Sequence, residues 1–182
     1  MKSGLTITKD EADKLLKAVQ TLTRQEVLVG VPDATAGRKG DDEPISNAAI
    51  GYINEFGSPE QNIPARPFLI PGVRDAAPKF IKRLHDAAKA AVAGKNDTVQ
   101  ANLMAAGLVA QNAVRAKISA GPFVPLADAT VAARARRGRK GAIAEMASRA
   151  AGNAPGTELA RPLIDTGQLR RAITYVTRMK GR

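Results

Sequence analysis

The sequence predicts an α+β fold in which a small mixed or antiparallel sheet packs against a long antiparallel helix pair. Two stretches, about 73–93 and 97–119, carry apolar residues at helical spacing and are joined only by Gly94-Lys95-Asn96, a joint short enough to fold the second helix back along the first. Two short β-branched runs, Glu26-Val-Leu-Val-Gly-Val31 and Ile173-Thr-Tyr-Val-Thr177, stand far apart in the chain and supply the sheet. The length of 182 residues suits one domain, 1–182, because a globule of that size buries about two thirds of the surface its unfolded chain exposes.

Taken in order, Thr8 and Glu11 form a capping box ahead of a helix whose Ala12, Leu15, Leu16, Val19 and Leu22 share one face. The strand at 26–31 ends at Pro32, and 33–44 is too poor in apolar residues to pack, which predicts a mobile loop. Within it Gly37-Arg-Lys-Gly40 lacks the residue order of a nucleotide-binding loop, and Asp41, Asp42 and Glu43 lack the spacing of a calcium loop. Ser46 caps a short helix bearing Ala49, Ile50, Ile53 and Phe56 and stopped by Gly57. Three prolines then hold Asn62–Pro71 extended, and Arg66 among them is expected to fasten the segment through an ion pair, with Glu55 as a partner, or else to touch a ligand.

In the first long helix Ala77, Phe80, Ile81, Leu84, Ala88 and Val92 make the apolar stripe, with Pro78 near its start and His85 beside the stripe. In the second the stripe is Val99, Leu103, Ala106, Ala110, Val114 and Ile118. Gly121-Pro-Phe-Val-Pro-Leu126 is again fixed by proline and leads to a helix through Ala135 capped by Asp128. Arg134, Arg136, Arg137, Arg139 and Lys140 follow within seven positions. Such a run is read as a solvated surface loop, or as a contact for phosphates or an acidic surface, and 136–158 as a second mobile loop. Asp165 or Thr166 caps a short helix with Leu169 before the last strand. The expected core comprises Leu15, Val27, Val29, Phe56, Phe68, Leu69, Phe80, Leu84, Leu103, Val114 and Ile173.

Composition narrows the function. The chain has no Cys and one His, so thiol chemistry, Cys-ligated metals and two-His metal sites within one chain are excluded. Asp165-Thr-Gly167 matches an aspartic-protease triplet, but that chemistry needs two such loops in a β-rich fold. No set of catalytic residues emerges, so no enzyme activity, cofactor or metal is expected. No apolar run is long enough to cross a bilayer, and the N-terminus lacks the order of a secretory leader, so a soluble chain without membrane contact is expected. The net charge is +11. It is unevenly spread, with seven basic and ten acidic residues in 1–60 but twelve and three in 131–182.

Four segments give a sharper expectation: Glu55-Phe-Gly57, Ile63-Pro-Ala-Arg-Pro-Phe-Leu69, Gly121–Leu126 and Pro162-Leu-Ile-Asp-Thr-Gly-Gln-Leu169. In this order and spacing the chain, over about 26–178, resembles the tail-completion or neck proteins of tailed bacteriophages, also described as minor tail or virion morphogenesis proteins. It departs from their pattern at Asn54, where His is frequent, and in the Arg-rich stretch. The resemblance implies a non-enzymatic virion protein, assembled in the host cytoplasm, that forms a homo-oligomeric ring, a hexamer, at the head–tail junction and joins tail tube to head. Its implied partners are copies of itself, neighbouring neck, connector or tail-tube proteins, and, nonspecifically, the DNA passing through. A tail terminator ring and a basic nucleic-acid-binding module are the alternatives. The charge split adds a route to assembly, in which Asp41, Asp42 and Glu43 of one copy meet the basic Arg134, Arg136, Arg137, Arg139 and Lys140 of the next, with Arg66 as a further interface residue.

Overall fold

A computed structural model describes residues 11–32 and 45–180. The fold is α+β, with a long antiparallel helix pair and a two-stranded antiparallel sheet. The capping box with Thr8 and the expected loop at 33–44, with Asp41, Asp42 and Glu43, lie outside the described residues.

Helix α3 (Leu69–Val92) and helix α4 (Asn96–Ala120) form the spine. Gly72, near the start of α3, lies so close to α4 that a Cβ there would sit 2.9 Å from Val114 Cα, near the end of α4. At the other end Ala87 and Ala90 pack on Val99 and Leu103, so the pair runs antiparallel. All six expected stripe residues of α4 are buried. On α3 the stripe differs: the buried residues are Gly72, Ala76, Ala87 and Ala90, while Ile81, Leu84 and Val92 are exposed. A close helix approach leaves room only for Gly and Ala along the contact row, which turns the larger side chains outward.

Helix α3 also begins earlier than the sequence suggests. Pro71 lies in its first turn, where an amide is not needed, and Pro78 lies well inside. Pro78 deprives the Arg74 carbonyl of its helical donor, but both residues are exposed, so water can replace it.

Strand β1 (Gln25–Gly30) pairs with β2 (Thr174–Met179) from Gln25↔Met179 to Gly30↔Thr174. The sheet lies on α4, and a Cβ at Gly107 would overlap the Tyr175 ring. Phe68, Val114, Ile118, Leu163, Leu169 and Ile173 form the central core, with Val29 and Leu69 at its edge, and Val27 borders the smaller cluster at the far end of the helix pair. Phe80 is half-buried. Three expected core residues are outside: Leu15, on helix α1 (Ala12–Thr23), Phe56, on helix α2 (Asn47–Phe56), and Leu84. Helix α1 packs along α3 and β1 without burying any residue, which leaves its apolar face half open.

Helices α5 (Asp128–Arg136) and α6 (Lys140–Ala150) pack together around Val131 and Ala142, with Leu126 and Ala160. The expected mobile stretch 136–158 therefore contains a helix, because Ala142 and Glu145 find buried partners. Ala127, not Asp128, takes the cap position of α5, and Asp128 accepts from Arg149 instead.

Gly107→Ala forces the Tyr175 ring off α4 and is expected to lower stability by about 2 kcal/mol, read from the urea midpoint. Combining it with Tyr175→Ala should recover part of the sum of the two single losses; simple additivity would show that this contact does not seat the sheet.

Candidate interaction groove

The segments singled out in the sequence meet around one groove. Ser46 Oγ accepts from Ala49 N at 3.1 Å and starts α2. Gly57, at φ +78°, ends it, and a Cβ there would come within 2.9 Å of the Ile63 and Ala65 backbone. A turn closed by the Ser58–Ile63 bridge brings the chain back, and Arg66 N donates to Asn54 O at 2.6 Å. This return places Glu55 under the start of α3. Its Oε2 accepts from Phe68 N at 2.7 Å and Leu69 N at 2.8 Å, and its Oε1 from Ile70 N at 2.9 Å. The expected Glu55–Arg66 pair does not form, because the free amides and positive dipole end of a 24-residue helix hold the carboxylate.

Arg66, 6 % exposed, reaches the next segment instead. Its Nε donates to Val124 O at 2.8 Å and its Nη2 to Pro125 O at 2.9 Å. Arg134 does the same for the last segment: Nη1 donates to Arg161 O at 2.9 Å and Ile164 O at 3.2 Å, and Nη2 to Pro162 O at 2.8 Å. Burial pushes both guanidinium pKa values down, at Arg134 against the attraction of Asp165. Asp165 is held by Arg137 at 3.0 Å and Arg139 at 2.9 Å, and neither Asp165 nor Thr166 caps short helix α7 (Gln168–Ala172): Gly167, at φ +75°, takes the cap position without a side-chain cap bond, and Thr166 Oγ1, just outside it, accepts from Gln168 N at 3.3 Å. Of the Arg-rich run, Arg134, Arg137 and Arg139 are thus internal braces. Arg136 and Lys140 are exposed, with no side-chain hydrogen bond or ion pair among the described residues.

Between these braced segments lies an open groove of about 1020 Å³. Ile50, Ile53, Ile63, Val124 and Leu163 give it apolar walls, and Arg66, Arg134, Asn54 and Gln168 place polar groups along it. It can bind an apolar segment with a few hydrogen-bonding groups. Among the described residues there is no group of three or more His, Cys, Asp or Glu that could hold a metal, no helix is long and apolar enough to cross a membrane, and His85 is exposed.

Sequence reasoning missed a second brace. Glu145, 2 % exposed, accepts from Gly156 N at 2.9 Å and Arg149 Nε at 2.8 Å. Arg149 Nη1 also donates to Leu126 O at 3.0 Å and Asp128 Oδ1 at 2.6 Å. The Gly156 amide and Arg149 hold the Glu145 carboxyl below its ordinary value of 4.5, against burial, which raises it. Burial works against the Arg149 cation, but its bonds to Asp128 and Glu145 outweigh that and raise its pKa. The Glu145–Arg149 spacing of four was the available signal.

Compared with models of protein families, with curated proteins and with solved structures, the chain matches none.

Glu55→Ala strands three amide donors and is expected to cost about 3 kcal/mol, and Glu55→Gln, which keeps one acceptor oxygen, about half of that; equal urea midpoints for wild type and Glu55→Ala would refute the capping role. The depressed Glu145 pKa stabilises the fold above the ordinary value of 4.5, and that contribution is lost as pH falls through the lower folded value. The stability gap between wild type and Glu145→Gln should therefore be widest near neutrality and close in acid; a pH-independent gap would contradict it.

Proposed function

We propose that this chain is a non-enzymatic structural subunit of a tailed-phage virion, a neck or tail-completion protein that assembles into a homo-oligomeric ring between tail tube and head. The observation that carries the reading is the convergence of its four motif segments: Glu55, Arg66 and Arg134 tie them into one rigid unit around a single groove. Residues spread over more than a hundred positions thus serve one piece of architecture, as expected when a family's motifs describe a scaffold rather than a reaction centre.

A second observation supports an assembly subunit. Large apolar side chains stand outside: Leu15, Leu16 and Val19 on α1, Ile81 and Val92 on α3, and Tyr52 at 66 % and Phe56 at 56 % exposure on α2. The Tyr52 and Phe56 rings are 4.8 Å apart and form one exposed aromatic pair. Leu15 and Val92 border a further groove, of about 1150 Å³, between α1 and the α3–α4 joint. Exposed apolar surface of this extent suits contact with neighbouring subunits. A heterologous ring uses two different faces of each copy, and these surfaces lie on different elements. The same reading accommodates a terminator ring one level away in the stack.

The test is quantitative mass spectrometry of mature phage particles propagated from the genome that encodes this chain, with copy number read against the tail-tube protein. One ring's worth of copies per particle is expected. Absence from mature particles would overturn the proposal.

A further inference from the structure

A separate cleft gathers positive charge with no ion-paired carboxylate among the described residues. Asn112, Arg115 and Ala116 on α4 and Arg170 and Arg171 on α7 line a space of about 390 Å³. Arg115 Nη2 donates to Ile173 O at 2.8 Å and to Arg171 O at 3.4 Å. Arg170 Nε donates to Arg115 O at 3.3 Å, and Arg171 Nη2 to Thr166 O at 3.2 Å. Every acceptor is a main-chain carbonyl. None of the three arginines forms an ion pair with a described residue, whereas Arg137, Arg139, Arg149 and Arg178 all do. Arg115 Nε is buried and has no acceptor.

Three like charges lining one cleft repel one another, and none of them is ion-paired with a carboxylate among the described residues. The carbonyl bonds hold the guanidinium groups in place but use few of their donors. A guanidinium has five N–H groups, and Arg170 and Arg171 each commit one. The remainder are free to meet oxyanions, and the planar fork of Arg matches two oxygens of one phosphate.

We propose that this cleft binds consecutive phosphate groups of a nucleic-acid backbone. A single carboxylate would neutralise one of the three cations, whereas neighbouring phosphates supply a charge each. No aromatic side chain lines the cleft, so the contact lacks base stacking and is independent of sequence. The inference stands apart from the neck reading. It also places the nucleic-acid contact away from the Arg134–Lys140 stretch, where three of the five cations are spent on internal bonds.

Binding of the full chain to a short labelled duplex DNA, followed by fluorescence anisotropy over a salt series, tests it. The R170Q/R171Q variant, altered at two exposed residues, should bind about tenfold more weakly, with the slope of log affinity against log salt reduced by about 2. R170Q alone, which gives up one long hydrogen bond, should reduce the slope by about 1. The control R136Q/K140Q removes the same charge from two exposed cations elsewhere and should change affinity less than threefold, about the effect of net charge alone. Unchanged melting temperatures accompany these results. Equal losses in both double variants would overturn the cleft as a site, as would absence of wild-type binding at low salt. Binding of labelled polyglutamate with no affinity for duplex would also overturn it and assign the cleft to an acidic protein surface.

Discussion

The carboxylate of Glu55 at the head of α3 is the constraint on which the rest of the structure depends. A helix begins with four amides that have no partner inside it. In α3 these belong to Phe68, Leu69, Ile70 and position 71. Glu55 accepts from the first three, and the fourth is proline, which has no N–H. The first internal bond of the helix then runs from Gly72 N to Phe68 O. No donor is left over, so the start of the helix can be buried beside Phe68, the largest fully buried side chain. The same contact fixes α2 against α3, and that fixes the path of the proline segment between them.

Once that corner is set, arginines carry the connection outward. The chain is poor in aromatics and its cores are small, each built from a handful of side chains. Burial of a Val, Leu, Ile or Phe contributes about 1.5–3 kcal/mol, so such clusters hold their own elements but reach little beyond them. Arg66, Arg134 and Arg149 bridge the gaps by donating to carbonyls at proline-rich turns, where the chain has no regular partner strand or helix. Proline removes donors and leaves acceptors, and a multi-donor fork is their natural complement. The positive charge of the chain is therefore in part structural. Arg136 and Lys140 of the Arg-rich run, and Arg170 and Arg171 beside α4, remain exposed.

This division also explains why exposed apolar residues coexist with a rigid frame. The close approach of α3 and α4 through Gly72, Ala76, Ala87 and Ala90 turns Ile81, Leu84 and Val92 to the surface, and α1 adds Leu15, Leu16 and Val19. Bulk that would fill a conventional core is displayed on the outside of a backbone held together by small residues and polar braces.

The sequence by itself determined what is local: the α2 cap at Ser46 and stop at Gly57, the two strands, the antiparallel return at Gly94–Asn96, and the α4 stripe from Val99 to Ile118. Each follows from spacing, a capping hydroxyl or a left-handed glycine, all written within a few residues. Tertiary structure alone decided where Glu55 and Arg66 point, that α3 starts at Leu69, which face of α3 meets α4, and that the Arg-rich run braces the fold. Those outcomes depend on carbonyls and amides supplied by segments up to tens of residues away. A buried charge settles on whichever unpaired backbone groups the fold brings to it, and that pairing leaves no periodic trace in the chain.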